Sequence, residues 1–385
     1  MSNTLKFGNG EWYGKEGTIL AYNDENNNYK PLPFNFDRDS VATRVNKQGL
    51  IETVGADQPR IDYLNDSNGA LLLEPSRTNS IAYSNDLNAS GWNTFSADGG
   101  TVIRTSNYGI SPSGKQDSTR VVFTTEFVSL YYSFSGISGD ASATMYVKGV
   151  EGEVIAFGFG SDVSFGQEFT LNGQWQRIEF NATSTNTTLN ITAWGSTRDA
   201  SDIEVYGVQI EAGSYATSYI PTQGSAVTRL ADSCNNGGNE QVINSTEGVL
   251  YAEISALADD GTGRNLGISD GTTSNRILIL YSNNSNQLRF YLAGSGGSIT
   301  VNHTLTEVTE FIKVAIKYKT QDFSFYVNGV EVNTNSSNIT FSGLDDLSFN
   351  NPFGGGTSNF YGNVKDVRVY NTALTDQELA ALTQV

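Results

Sequence analysis

The sequence predicts an all-β chain: an irregular N-terminal module, then two antiparallel β-sandwich (jelly-roll) domains, with one short helix at the C-terminal end. Three observations predict it. Gly (40), Tyr (19) and Phe (20) are plentiful, only 17% of the 385 residues are charged, and Asn, Ser and Thr fill the gaps between apolar runs. Such a composition suits many short strands joined by tight turns. Strand-like runs of β-branched and aromatic residues recur at short spacing over the last two thirds of the chain. Finally, Thr375-Asp376-Gln377-Glu378 reads as a capping box, the start signature of a helix over 375–382.

Residues 1–85 form the irregular module, which holds Pro31, Pro33, Pro59 and Pro75 of the seven prolines. Within it, 37–54 packs two arginines and three acids around alternating apolar residues. Runs 41–45 and 50–54 flank Asn46-Lys47-Gln48-Gly49, which suits a type I turn followed by a glycine with positive φ. A hairpin results, with Arg44 and Glu52 as a cross-strand pair; its apolar alternation marks scaffold rather than a catalytic cluster. Residues 70–75 read as a short apolar strand stopped by Pro75.

In 86–224, strands are expected at 120–123, 143–147, 154–159, 175–180, 189–194 and 203–210, the spacing of a sandwich or jelly roll. In 225–385, strands are expected at 248–254, 276–281, 287–292, 312–318 and 364–370. Asn328-Gly329 between 323–327 and 330–332 is the strongest short-range hairpin signal in the chain. Residues 225–230 faintly echo 40–45.

Length allows two or three domains, each large enough for its own core. A net charge of -18 and pI of about 4.4 argue against nucleic acid and against anionic membrane surfaces. No apolar run approaches the roughly 20 residues of a spanning helix, so no membrane insertion is expected. The first ten residues lack the basic-then-apolar pattern of a signal peptide. The sequons at Asn190 and Asn338 are accordingly read as incidental. A single cysteine, Cys234, read as lying in a Gly/Asn-rich loop, rules out an intrachain disulfide.

Catalytic groups are sparse. A nucleophilic triad would have to use the one histidine, His303, whose surroundings read as a strand face. One His and one Cys are too few for a zinc site. Glycoside hydrolysis needs two carboxylates flanking one bond, and the nearest pair is Asp202 with Glu204. The expectation is a non-enzyme with no catalytic residues, no cofactor and no metal site. Calcium is the one possible ion, at Asp259-Asp260, Asp345-Asp346 or Asp62 with Asp66; each of these also suits a turn.

The last third resembles the laminin-G/concanavalin A-like lectin superfamily. The likeness rests on 312–318, on Phe325-Tyr326-Val327-Asn328-Gly329 and on 362–375, where a strand, Tyr370-Asn371-Thr372-Ala373-Leu374-Thr375 and a helix follow in order. The middle third looks like a carbohydrate-binding-module jelly roll, on 173–178 and 207–213. With 71–87 and 207–222 added, nearly the whole chain resembles tail-fibre and head-fibre proteins of tailed bacteriophages. That resemblance implies a virion protein made in the host cytoplasm. It implies a homo-oligomer, often a trimer. Residues 1–85 would be the attachment and oligomerisation module, joined to other virion proteins; 86–224 the carbohydrate-binding-module-like jelly roll; and 225–385 the lectin-like sandwich. The β-domains would face host glycans, as a non-catalytic adhesin. Two alternatives stay open: a purely structural capsid-decoration or connector protein, and a polysaccharide depolymerase. Sugar recognition uses exposed aromatic rings stacked on pyranose faces, with Asn and backbone groups completing the hydrogen bonds. The candidates are Trp92, Trp194, Tyr131 and Tyr132 in the middle domain. In the last domain they are Asn350, Asn351, Phe353, Asn359 and Tyr361 around a Gly-rich loop.

Overall fold

The computed structural model describes residues 5–12, 14–23, 28–134, 137–160, 166–184, 187–195, 197–350 and 358–385. Strands dominate them, with one α-helix among the described residues, Asp376–Thr383. Two compact units form, and they do not follow chain order. One comprises Met1–Val41, Val54–Pro75 and Ala231–Val385; the other comprises Ala42–Thr53 and Ser76–Leu230. The three consecutive blocks expected from the sequence therefore give way to two interleaved units. Residues 1–85 are not a body of their own.

The second, middle unit is a sandwich of two five-stranded antiparallel sheets. One runs in the order Trp92–Ser96, Val128–Ser133, Thr188–Thr192, Val154–Phe159, Gln167–Thr170. The other runs Val102–Thr105, Thr119–Phe123, Asp202–Ala212, Gly139–Lys148, Gln176–Ser184. Alternation sends Leu130, Phe157 and Ile191 from the first sheet, and Val121, Met145 and Val205 from the second, into one shared core. The expected 37–54 hairpin forms from Ala42–Val45 and Ile51–Val54. The Asn46 side-chain oxygen accepts from the Gln48 and Leu50 amides, both at 3.0 Å, and Gly49 takes φ +78°, where a Cβ would be strained. Arg44 Nε donates to Glu52 Oε1 at 2.7 Å. Burial alone would raise the Glu52 carboxyl, but the Asn46 and Arg44 hydrogen bonds outweigh it and hold it below its usual value. The hairpin buries Ile51 beside Tyr206 and Tyr219. It is scaffold, but scaffold of the middle unit rather than of an N-terminal attachment module.

The first unit stacks two sheets around a core that includes Leu250, Ile279, Phe290, Ile316 and Val367. Its smaller sheet runs Gly297–Thr304, Gln287–Gly294, Arg276–Tyr281, Arg264–Ser269, Asp346–Ser348. Its larger sheet runs Ser233–Asn235, Asn28–Asp37, Thr18–Asn23, Leu5–Gly8, Gly362–Tyr370, Glu247–Ala256, Ile312–Lys319, Phe323–Val327, Val330–Asn335. The chain's first strand thus pairs with its last: Leu5 faces Val369 and Phe7 faces Val367. Leu5, Phe7, Phe34 and Phe36 enter the same core as the C-terminal strands. Gly8 is required at this junction, because a Cβ would lie 2.2 Å from the Lys365 carbonyl oxygen. At the other edge Asn328 (φ 49°) and Gly329 (φ 81°) make the expected hairpin turn, with the left-handed pair that a type I′ turn demands.

Four charged side chains are buried together in this unit. Asp232 accepts from Arg38 Nη1 at 3.1 Å and from Arg60 Nη2, and Glu74 accepts from Arg60 Nη1 at 2.5 Å. Two positive and two negative charges cancel, as burial demands. Arg38 also donates to the Ser40, Gly55 and Gln58 carbonyls, tying 55–58 to the strand Asn28–Asp37. Burial alone would lower the Arg60 guanidinium, but Asp232 and Glu74 hold it above its ordinary value. Cys234 lies not in a loop but at the middle of the short strand Ser233–Asn235, where it alone is buried. There burial, then Asp232, pushes its thiol up, which makes it inert.

The helix forms as the capping box requires. Thr375 Oγ1 accepts from the Glu378 amide (3.3 Å) and Glu378 Oε2 accepts from the Thr375 amide (2.9 Å). Leu379 and Leu382 pack against Val249, Tyr251, Tyr326 and Tyr370 on the outer face of the larger sheet.

Candidate functional site

The structure scatters the nine sugar-contact candidates. Trp92 is 4% exposed and packs, tilted, with its ring centroid 5.2 Å from that of the buried Tyr132 inside the middle sandwich. Trp92 Nε1 donates to the Tyr83 carbonyl, and the Tyr132 hydroxyl accepts from the Ala82 amide. Both are core rings with their polar handles satisfied, so neither can meet a sugar. Asn359 and Tyr361 are half-buried and bond each other, Nδ2 to Oη, at 3.1 Å. Asn350 is half-buried, and Asn351 and Phe353 lie outside the described residues.

Tyr131 and Trp194 fare differently. In strand Val128–Ser133, Leu130 and Tyr132 face the core, so Ser129 and Tyr131 face outward. The register aligns Phe95 with Ser129 and Ser129 with Thr192 across three strands. Phe95 therefore stands on the outer face, and Trp194, two residues beyond Thr192, closes against it. The Phe95 and Trp194 ring centroids are 5.9 Å apart, at 33° between planes. Phe127 meets Trp194 edge-on at 5.1 Å. Phe95 is 46% and Phe127 41% exposed, and Trp194 is half-buried between them. Such a cluster in water is unfavourable unless something covers it.

Hydrogen bonds hold the Trp194 backbone on both sides. The Trp194 amide bonds Thr192 Oγ1 at 2.9 Å, and its carbonyl accepts from Arg198 Nη1 at 3.0 Å. Arg198 in turn pairs with Glu168 on the sheet's edge strand at 2.9 Å. Hydrogen bonds from Arg198 and Thr197 hold the Glu168 carboxylate below the usual range. Exposed aromatic rings on the sheet's outer face, rimmed by an Arg–Glu pair, can stack on the apolar face of a sugar and hydrogen-bond its hydroxyls.

The remaining candidates take structural places. Asp202 pairs with Arg120 at 2.6 Å, and Glu204 accepts from Ser118 Oγ at 2.8 Å and lies 3.5 Å from Lys148 Nζ. Asp260 pairs with Arg264, Asp66 with Lys365, and Asp346 accepts from Ser348. Asp259 accepts from Ser285 Oγ and the Asn286 amide, and Asp62 from the Leu64 amide. Among the described residues no three His, Cys, Asp or Glu side chains gather as metal ligands. His303 stands half-exposed on strand Gly297–Thr304.

With this geometry in place, the comparisons with known proteins locate one stretch. Residues 245–380 match the concanavalin A-like lectin/glucanases superfamily. That is about a third of the chain, and it assigns the C-terminal sandwich a concanavalin A-like lectin fold. No curated protein matches the sequence. Similar solved structures include the CBM40 of Ruminococcus gnavus IT-sialidase bound to alpha2,3 sialyllactose. It is 18% identical with TM-score 0.33, over 37% of this chain and 84% of that one. Domain 4 of AbnA, a GH43 arabinanase from Geobacillus stearothermophilus, in complex with arabinotriose, is 13% identical with TM-score 0.33, over 45% and 84%. The leech intramolecular trans-sialidase is 19% identical with TM-score 0.33; the match covers 38% of this chain and 24% of the enzyme.

Proposed function

We propose that this chain is a non-catalytic adhesin: a virion fibre subunit of the tailed-bacteriophage kind, which holds host surface glycan on its β-sandwiches. The observation that carries the adhesive part is the exposed Phe95–Trp194–Phe127 cluster, locked to a sheet by Thr192 and the Arg198–Glu168 pair. Aromatic side chains of this kind are the usual anchors of a binding surface. The lectin-type match over 245–380 supports the same reading, and the fibre assignment rests on the resemblance of 71–87, 207–222 and the C-terminal strands to fibre proteins. As a fibre subunit the chain would be a homo-oligomer, a trimer in the simplest case, joined to other virion proteins.

The full chain is to be tested on intact host cells and on an array of envelope glycans. The expected result is binding that Trp194→Ala weakens by about 2 kcal/mol, roughly thirtyfold, with no new reducing ends released from capsule. Binding indifferent to Trp194→Ala and Phe95→Ala would remove the surface from consideration, and release of reducing ends would replace the adhesin with a depolymerase. Light scattering that gives a monomer mass would end the trimer.

A further inference from the structure

A second recess in the middle unit is chemically unlike the aromatic cluster. It is a cleft of about 550 Å³. The side chains that matter are Tyr83, Asp86, Asn107, Asp117 and Gln223. Tyr83 and Asp86 come from the segment before strand Trp92–Ser96, Asn107 and Asp117 from the loop between Val102–Thr105 and Thr119–Phe123, and Gln223 from the segment after Asp202–Ala212.

Its floor is fixed by paired hydrogen bonds. Ser84 and Thr222 exchange amide-to-hydroxyl bonds, both at 3.0 Å. The adjacent carboxamide of Asn85 accepts from the Gly207 amide at 3.1 Å and from the buried Tyr219 hydroxyl at 2.6 Å. A floor so constrained does not have to be ordered when a ligand arrives.

The rim is the reverse. Among the described residues the Tyr83 hydroxyl and the side-chain amides of Asn107 and Gln223 make no hydrogen bond. Asp86 accepts only from Ser106 Oγ (2.6 Å) and the Asn88 amide (3.1 Å), and Asp117 only from Ser113 Oγ. Neither carboxylate forms an ion pair among the described residues, whereas Asp202, Glu168 and Asp66 elsewhere on the surface do. Arg104 is near enough to feel the charge of Asp86, but it donates to the Leu87 and Trp92 carbonyls instead. A cleft with two unpaired carboxylates, two unused amides and one aromatic ring suits a polyhydroxylated ligand that also brings positive charge. It repels acids.

We propose that this cleft is a sugar subsite for hexoses that bear a free amine, and that it excludes sugar acids. The ammonium would lie between Asp86 and Asp117, the ring face against Tyr83, and the hydroxyls on Asn107 and Gln223. The proposal rests on the glycan-binding reading above, but it uses different residues and so can fail separately.

The test is calorimetry on the full chain with three probes: a β1,4-linked glucosamine tetramer, its N-acetylated counterpart and tetragalacturonate. The glucosamine tetramer should bind about tenfold more tightly than the N-acetylated one, less tightly as salt rises, and tetragalacturonate not at all. Asp117→Asn should cut the glucosamine affinity about tenfold and Gln223→Ala severalfold. Gln223 is exposed and its side chain holds nothing, so that variant keeps the test sound if Asp117→Asn misfolds. Three results would overturn the subsite: no binding of the glucosamine tetramer, binding indifferent to Asp117 and Gln223 (diffuse attraction to a chain of charge -18), or sugar acids binding as well as amines. If cell adhesion depends on Trp194 yet the cleft variants change nothing, the adhesin stands and the subsite falls. If the tetramer binds in the cleft but no envelope glycan binds anywhere, the reverse holds.

Discussion

At the scale of single residues, charge buried in the first unit sets its stability. Asp232 serves both Arg38 and Arg60 and also accepts from the Glu74 amide at 2.8 Å. Asp232→Asn would leave two buried guanidiniums facing one carboxylate. Removing one partner of a buried ion pair costs about 3–5 kcal/mol. Urea denaturation should show that loss as a lower midpoint with an unchanged slope, while a change under about 1 kcal/mol would mean that the cluster is not dry. Asp346 illustrates the opposite sign. Burial raises its carboxyl above the ordinary 3.8, and the Ser348 hydrogen bond only partly offsets it. An acid with a raised folded-state value binds its proton more tightly when folded. Its contribution to stability therefore falls as pH rises through the window just above 3.8. Asp346→Asn keeps an acceptor for Ser348 and removes the half-buried charge. It should raise the melting temperature at neutral pH, and the gain should vanish as pH falls towards 3.8; a gain that persists there would refute the electrostatic cause.

At the scale of elements, the C-terminal helix is only eight residues long and depends on its first turn and its apolar face. Thr375→Ala removes the acceptor for the Glu378 amide and loosens the reciprocal bond, at a cost of about 1 kcal/mol. That should be visible as a small drop in the melting temperature, and no drop would mean that Leu379 and Leu382 alone hold the helix. This helix, the Asn328-Gly329 turn and the 42–53 hairpin are legible in the sequence because each is specified within a dozen residues. Strand periodicity is legible in the same way, but which of the candidate aromatic residues reach the surface is not. Trp92 and Phe95 are three apart on one strand, so period-two alternation puts them on opposite faces. A buried Trp92 therefore implies an outward Phe95, and alternation along a single strand is all that the inference needs. The Trp194 neighbourhood is hidden in a way that Phe95 is not: its contact with Phe127 joins residues far apart in the chain and depends on the strand order.

At the scale of the whole molecule, the sequence announces two sandwiches but hides how the chain is shared between them. Strands Leu5–Gly8 and Ala70–Leu73 both pair with Gly362–Tyr370, and neither carries a local mark of a partner at the far end of the chain. Proline-rich 28–37 reads as irregular, yet it is a ten-residue strand, Asn28–Asp37. The consequence is a specific expectation for residues 225–385 expressed alone. That fragment contains the whole lectin-type match at 245–380, but it lacks Leu5, Phe7, Ile19, Phe34, Phe36, Ile61, Leu71 and Leu73, all members of its core. It also strips the covering strands from one side of Gly362–Tyr370, whose Val364, Val367 and Val369 are buried, and it leaves Asp232 without either arginine. A bare edge next to a bared core is an aggregation template. The fragment should therefore be insoluble, or melt well below the full chain, and residues 1–75 supplied in trans should raise that melting point. A soluble 225–385 fragment that melts cooperatively at the full chain's temperature would show instead that the N-terminal strands decorate a sandwich already complete without them.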